Sequence, residues 1–165
     1  MSSLEFGPKS LFTTQNYGIV KSGVPVGEIV SRRIGGGATM TIGGKSYVAA
    51  REGVMSAAFY LEVDGNRVAR AERASAFKGS FTLQAGGRIY LLSPASMFGR
   101  AFVLTENGSK VGSIVRSGFF SRMSTAVLPD DLALEVQAFL IWLVIAMWQR
   151  QVMAGMVGGI LAGNS

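Results

Sequence analysis

Basic residues recur at matching places along the chain and are its best candidates for binding chemistry. Arg32 and Arg33, Arg73 with Lys78, and Arg116 with Arg122 each follow a short run rich in valine, isoleucine or alanine. If those runs are equivalent strands, the cations fall near corresponding strand ends and form an anion-binding rim. Clustered positive charge near an acidic membrane is worth about 1 kcal/mol per residue. The plainer reading is a set of solvated strand ends that discourage edge-to-edge pairing.

Other chemistry has little to stand on. The chain has no histidine and no cysteine. That excludes disulfide frameworks, cysteine nucleophiles, Cys/His zinc sites and histidine-dependent triads. Glu28, Glu52, Glu62, Glu72 and Glu106 are scattered on strand-like runs and are expected to face solvent. Gly44-Lys45-Ser46 has the ending of a phosphate-binding P-loop, but Thr39 stands where its first glycine belongs, and no helix is expected to follow. It reads as a hairpin turn. A non-enzymatic module without cofactor or metal is therefore expected. The net charge of +6 favours anionic partners. Nucleic acid is disfavoured, because no platform of paired aromatics sits beside the arginines. Anionic lipid headgroups remain the expected partner.

The elements that must carry the rim come from an internal repeat. Tyr17–Arg32, Phe59–Arg73 and Phe102–Arg116 align so that Gly23, Gly65 and Gly108 coincide, 42 and 43 residues apart. Val26, Val68 and Val111 follow three residues later, and then the small residues Gly27, Ala69 and Gly112. Asp64-Gly65 and Asn107-Gly108 are strong two-residue hairpin signals, and Ser22-Gly23 is a weaker one. Gly43-Gly44 and Gly86-Gly87 add a second hairpin to the first two copies. Lys9–Thr14 is the candidate for a missing strand, giving 11 or 12. Three four-stranded units are too few for a propeller.

Ala138–Trp148, AFLIWLVIAMW, is apolar without a break. With its flanks it is too long for a typical strand. Pro129, Asp130, Asp131 and Glu135 suit a helix start, and Arg150 suits its end. The reading is one helix from about 130 to 151, apolar on every face and so buried in protein or lipid. A closed barrel of twelve strands is roughly 24 Å across its backbone, and a helix with side chains is about 10–12 Å wide, so one helix fits the lumen. Gly27, Ala69 and Gly112, with Ile29, Ala71 and Ile114, should then face inward and make room for Trp142 and Phe139.

The D-G-N-x-V and N-G-x-x-V-G hairpins at Asp64–Val68 and Asn107–Gly112, followed by LPDDLALEVQAFLIWLVIAMW at Leu128–Trp148, resemble the tubby-like superfamily. That group includes tubby C-terminal domains, phospholipid scramblases and LURP-one-related proteins. The resemblance runs from about Lys9 through Gln151. It implies a mainly β fold: a closed antiparallel barrel of about twelve strands threaded by a C-terminal apolar helix. It also implies binding of phosphoinositides or other anionic phospholipids, with calcium-linked lipid movement in scramblases. The chain lacks an acidic calcium-loop run beyond Asp130 and Asp131, and has no cysteine for palmitoylation.

The expected organisation is a single barrel domain over 1–151 and a glycine-rich apolar tail over 152–165. Self-association through the tail or a strand edge is the alternative function. No secretory signal is visible at the start. A cytoplasmic protein, peripheral to a membrane, is expected; anchoring through the C-terminal segment is the alternative.

Overall fold

The structure, a computed structural model, describes residues 2–10, 15–32, 36–53, 55–74, 79–96, 100–116 and 123–163, with helix side chains to Arg150. The strands are β1 (Ser2–Pro8), β2 (Asn16–Lys21), β3 (Val24–Ser31), β4 (Ala38–Ile42), β5 (Lys45–Arg51) and β6 (Ala58–Val63). They continue as β7 (Asn66–Arg73), β8 (Phe81–Ala85), β9 (Arg88–Pro94), β10 (Ala101–Glu106), β11 (Ser109–Val115) and β12 (Ser124–Leu128), before the helix α1 (Leu134–Gly163). Each strand pairs antiparallel with its neighbours in sequence, and β1 pairs with β12 to close the barrel. Closure removes every sheet edge.

The closing strand is Ser2–Pro8 rather than Lys9–Thr14; of the latter, residues 11–14 lie outside the described residues. Its alternation is short but clean. Ser2, Leu4 and Phe6 are buried, while Ser3 and Glu5 face solvent.

Each repeat has a local physical cause. Ser22-Gly23, Asp64-Gly65 and Asn107-Gly108 have positive φ at both residues, as do Gly43-Gly44 and Gly86-Gly87. Paired positive φ is the turn geometry whose twist matches that of the flanking strands. Beyond each of the three main hairpin turns the register slips by one residue, between Ile19/Val20, Leu61/Glu62 and Leu104/Thr105. The unpaired residues are Val26, Val68 and Val111, so the recurring valine is a β-bulge. Each bulged valine packs its side chain against the core. The bulge flips the alternation and turns the next small residue inward.

Ala69, Ala71, Ile29, Gly112 and Ile114 are buried as expected, and Gly27 is half-buried. The space left by the glycines is filled by neighbouring strands rather than by Trp142 and Phe139. A Cβ on Gly27 would stand 2.4 Å from Ile42 Cδ1, and one on Gly112 would stand 3.2 Å from Leu128 Cδ2. In the middle repeat Ala69 faces Ala85. Small against large, small against small, and small against large thus fill three equivalent places where β4, β8 and β12 end.

The helix fills the lumen. Every residue from Ala138 to Ile145 is buried, and so is Trp148. With no polar face, the helix is covered on all sides by barrel side chains. Pro129–Ala133 forms the entry turn instead of helix: Leu132 N–H donates to Pro129 O at 3.2 Å, and the Gln137 amide donates to Leu132 O at 2.8 Å. The helix therefore begins at Leu134, and its backbone continues to Gly163, past the expected end near 151. Among the described residues no helix is long and apolar enough to cross a membrane.

Candidate anion-binding rim

Antiparallel pairing gives the barrel two unlike ends. One carries the tight turns at 22–23, 43–44, 64–65, 86–87 and 107–108; this is the turn end. The other carries the longer connections after β1, β3, β5, β7, β9 and β11; this is the loop end. The chain leaves β12 at the turn end, so α1 enters there and emerges at the loop end. Trp148 marks the exit. It packs on Phe6 of β1 and Phe102 of β10, with ring centroids 6.1 and 6.4 Å away.

Strands β3, β7 and β11 run the same way, so Arg32, Arg73 and Arg116 all reach the loop end. Phase decides how each side chain is used. Arg73 follows Ala71, and Arg116 follows Ile114, at the two-residue spacing of one strand face. Both therefore lean over the barrel mouth. The Arg73 guanidinium lies 6.0 Å from the Phe81 ring centroid, and that of Arg116 lies 5.6 Å from Trp148. Arg32 is one residue out of step, because Ser31 holds the equivalent place. Its side chain turns to the outer wall and donates to Thr39 Oγ1 at 3.4 Å. Arg33, Lys78 and Arg122 lie outside the described residues.

Arg51 takes a mouth position that the repeat did not reveal. It ends β5 in phase with the buried Tyr47 and Ala49, and its guanidinium lies 5.5 Å from the Phe59 centroid. That phase was the signal in the sequence; the repeat hid it because the matching residue of β9 is Pro94. Phe59 in turn meets Phe81 and Trp142 edge-on, at 5.9 and 5.7 Å. The mouth is thus an aromatic collar around the helix exit with guanidinium groups above it. Cation–π contacts of this kind are worth about 0.5–1 kcal/mol when exposed.

Among the described residues, Arg32, Arg73 and Arg116 have no carboxylate in ion-pair range. Nearby acids are engaged elsewhere. Glu28 pairs with Lys9 at 2.9 Å. Glu52 accepts a fork from Arg70, at 2.7 and 3.2 Å, and a bond from Arg67 at 2.9 Å. Hydrogen bonding to Arg70 holds the Glu52 carboxyl below its ordinary range. Tyr17 sits beside the helix exit, where its hydroxyl accepts from Gln149 at 3.5 Å. Burial raises the Tyr17 pKa, partly offset by that bond and by Arg116.

The turn end has mixed charge. Lys21, Lys45 and Lys110 share it with Asp64, Asp130 and Asp131, all exposed. Arg88 donates to Glu106 through Nε at 2.8 Å and Nη2 at 2.6 Å, and its Nη1 donates to Asp131. It thereby ties the helix-entry turn to the barrel wall. A shallow cavity of about 450 Å³ lies between Arg67, Arg70, Gln84, Arg88 and Ile89. It has the side chains of an anion site, but the Arg70 and Arg88 guanidinium groups are already engaged by carboxylates. The loop end is therefore the candidate surface.

Comparison with protein-family models, with curated proteins and with solved structures finds no match to this chain.

Proposed function

We propose that the protein is a non-enzymatic binding module that docks on anionic phospholipid through the loop end of the barrel. The observation that carries this reading is the partition of charge. Arg32, Arg73 and Arg116, without carboxylate partners among the described residues, gather at the end where the helix emerges. Arg88 toward the other end, and Arg70 on the wall between, are bound up in ion pairs. Arg73 and Arg116, on an aromatic collar and without carboxylate partners among the described residues, suit phosphate-bearing headgroups at a water–membrane boundary. The tubby-like resemblance belongs to the same proposal, since its lipid theme requires a basic surface on the barrel. So does a peripheral location at a membrane.

Sedimentation with vesicles tests it. The protein should pellet with phosphatidylserine-containing vesicles, remain in solution with pure phosphatidylcholine, and release as salt rises. The triple variant Arg32→Glu, Arg73→Glu, Arg116→Glu should bind at least roughly 100-fold more weakly, since each arginine lost removes about 1 kcal/mol and each glutamate gained adds repulsion. A folded triple variant that binds as well as the parent overturns the reading.

A further inference from the structure

We infer that the barrel docks end-on, with α1 inserted into one leaflet and the barrel axis upright on the membrane. This inference rests on the anionic-lipid reading and specifies its geometry.

Three observations meet at the loop end. The first is where and how far the helix projects. Among the helix residues whose side chains are described, the last buried one is Trp148; Arg150 is exposed, and the backbone stays helical to Gly163. Residues 151–163 add roughly 20 Å beyond the mouth. Their sequence, QVMAGMVGGILAG, contains no charged residue. A helix of that length passes a headgroup layer and reaches about the midplane of a hydrocarbon core roughly 30 Å thick. It cannot reach the far side.

The second observation is exposed apolar surface. Met55, in the connection between β5 and β6, is 97% exposed, a costly state for a large apolar side chain in water. Val30 and Val115, near the loop-end tips of β3 and β11, are exposed at 38% and 45%. Val30 and Val115 lie on the barrel wall behind Arg32 and Arg116 along the same strands, so Met55, beyond the end of β5, is the foremost of the three. The turn end has exposed Val24 and Ile89, but its charge is mixed, with Asp64, Asp130 and Asp131 standing among Lys21, Lys45 and Lys110, and the helix enters there rather than projecting from it.

The third is charge complementarity. Arg73 and Arg116 lean over the mouth and Arg32 stands on the outer wall beside it, so the charges that attract the surface form a ring at the strand ends, above the Met55 connection and the projecting helix that enter it. A barrel lying on its side would use only part of this ring and would leave the helix in water.

The chain has no native cysteine, so single labels report depth directly. Met55→Cys, Ile89→Cys and Leu161→Cys each receive a fluorophore, and binding to phosphatidylcholine–phosphatidylserine vesicles is first measured by sedimentation. Expected is loss of Leu161-label fluorescence to quenchers at the acyl-chain ends and of Met55-label fluorescence to quenchers near the headgroups. The Ile89 label should respond to neither. An impermeant quencher trapped inside the vesicles should leave the Leu161 label untouched.

Binding with all three labels still in water overturns this geometry and leaves the lipid-binding function standing. Quenching of the Ile89 label means that the barrel lies flat, and quenching of the Leu161 label from inside means that the helix crosses; either result overturns the inference. No binding to the acidic vesicles removes both it and the function on which it rests.

Discussion

The Arg116 guanidinium carbon stands 5.6 Å from the ring centroid of Trp148, which joins the basic rim to a buried residue of the central helix. The same ring is stacked on Phe6 and met edge-on by Phe102. Removing the indole should therefore cost far more than removing the cation. Trp148→Ala is expected to destabilise the fold by about 3–5 kcal/mol through lost burial and the cavity left behind. Arg116→Ala is expected to cost about 0.5–1 kcal/mol, the worth of an exposed cation–π contact. In urea denaturation, a double-mutant cycle should return a coupling of similar size. Zero coupling would mean that the proximity carries no energy.

Gly27 and Gly112 occupy equivalent places in two repeats, yet substitution should separate them. A Cβ on Gly112 would meet the Val127 carbonyl oxygen at 2.7 Å, and backbone cannot move aside cheaply. A Cβ on Gly27 would meet Ile42 Cδ1 at 2.4 Å, the far end of a side chain, with Thr41 O at 3.1 Å. Gly112→Ala should cost about 1–3 kcal/mol, as overpacked cores do, and Gly27→Ala less. Adding Ile42→Val deletes the clashing methyl and should restore part of the loss. A Gly27→Ala midpoint that Ile42→Val lowers further would show that the Ile42 contact is not the cause.

Repeat, turn and helix were legible because each rests on local chemistry. The turn dipeptides need particular φ values, the valine-then-small pattern needs a bulge, and an apolar run of that length needs a container. What the sequence concealed depends on partners far away in the chain. Ser2–Pro8 is too short to stand out until β12 and β2 flank it. The room at Gly27 and Gly112 goes to Ile42 and Leu128 on adjacent strands, which no single repeat reveals. At the rim, spacing put Arg73 and Arg116 at strand ends, and the structure has them at the loop end of β7 and β11. Spacing also grouped Arg32 with them although Ser31 holds the matching phase, and it passed over Arg51. Strand phase, not proximity to a strand end, decides which guanidinium reaches the mouth.

Acid should weaken one wall of the barrel through Glu52. Hydrogen bonds from Arg70 and Arg67 lower its carboxyl pKa in the folded state. A depressed carboxyl contributes stability that is present above the unfolded-state value and is lost as pH falls through the folded one. Glu52→Gln should therefore lower Tm most at neutral pH, and the gap to the parent should close on acidification. A gap that is unchanged at a pH below both values would remove Glu52 from the account of acid lability.

Two classes of arginine should separate cleanly in one pair of measurements. Arg70 and Arg88 each hold two carboxylates: Glu52 and Glu72 in one case, Glu106 and Asp131 in the other. Replacing either with alanine strands like charges beside one another and, at Arg88, frees the helix-entry turn. Tm should fall. The net charge removed from the molecule is the same as for Arg73→Ala or Arg116→Ala, so any long-range electrostatic effect on lipid binding is matched. What differs is place and engagement. Arg73 and Arg116 sit at the mouth without carboxylate partners among the described residues, and should contribute directly to headgroup binding. Alanine at both should weaken sedimentation with acidic vesicles and flatten its salt dependence, at a smaller cost in Tm than Arg88→Ala. If Arg70→Ala and Arg88→Ala, still folded, weaken vesicle binding as much as the rim pair does, net charge rather than the loop end governs the interaction, and the docking surface has been assigned to the wrong part of the barrel.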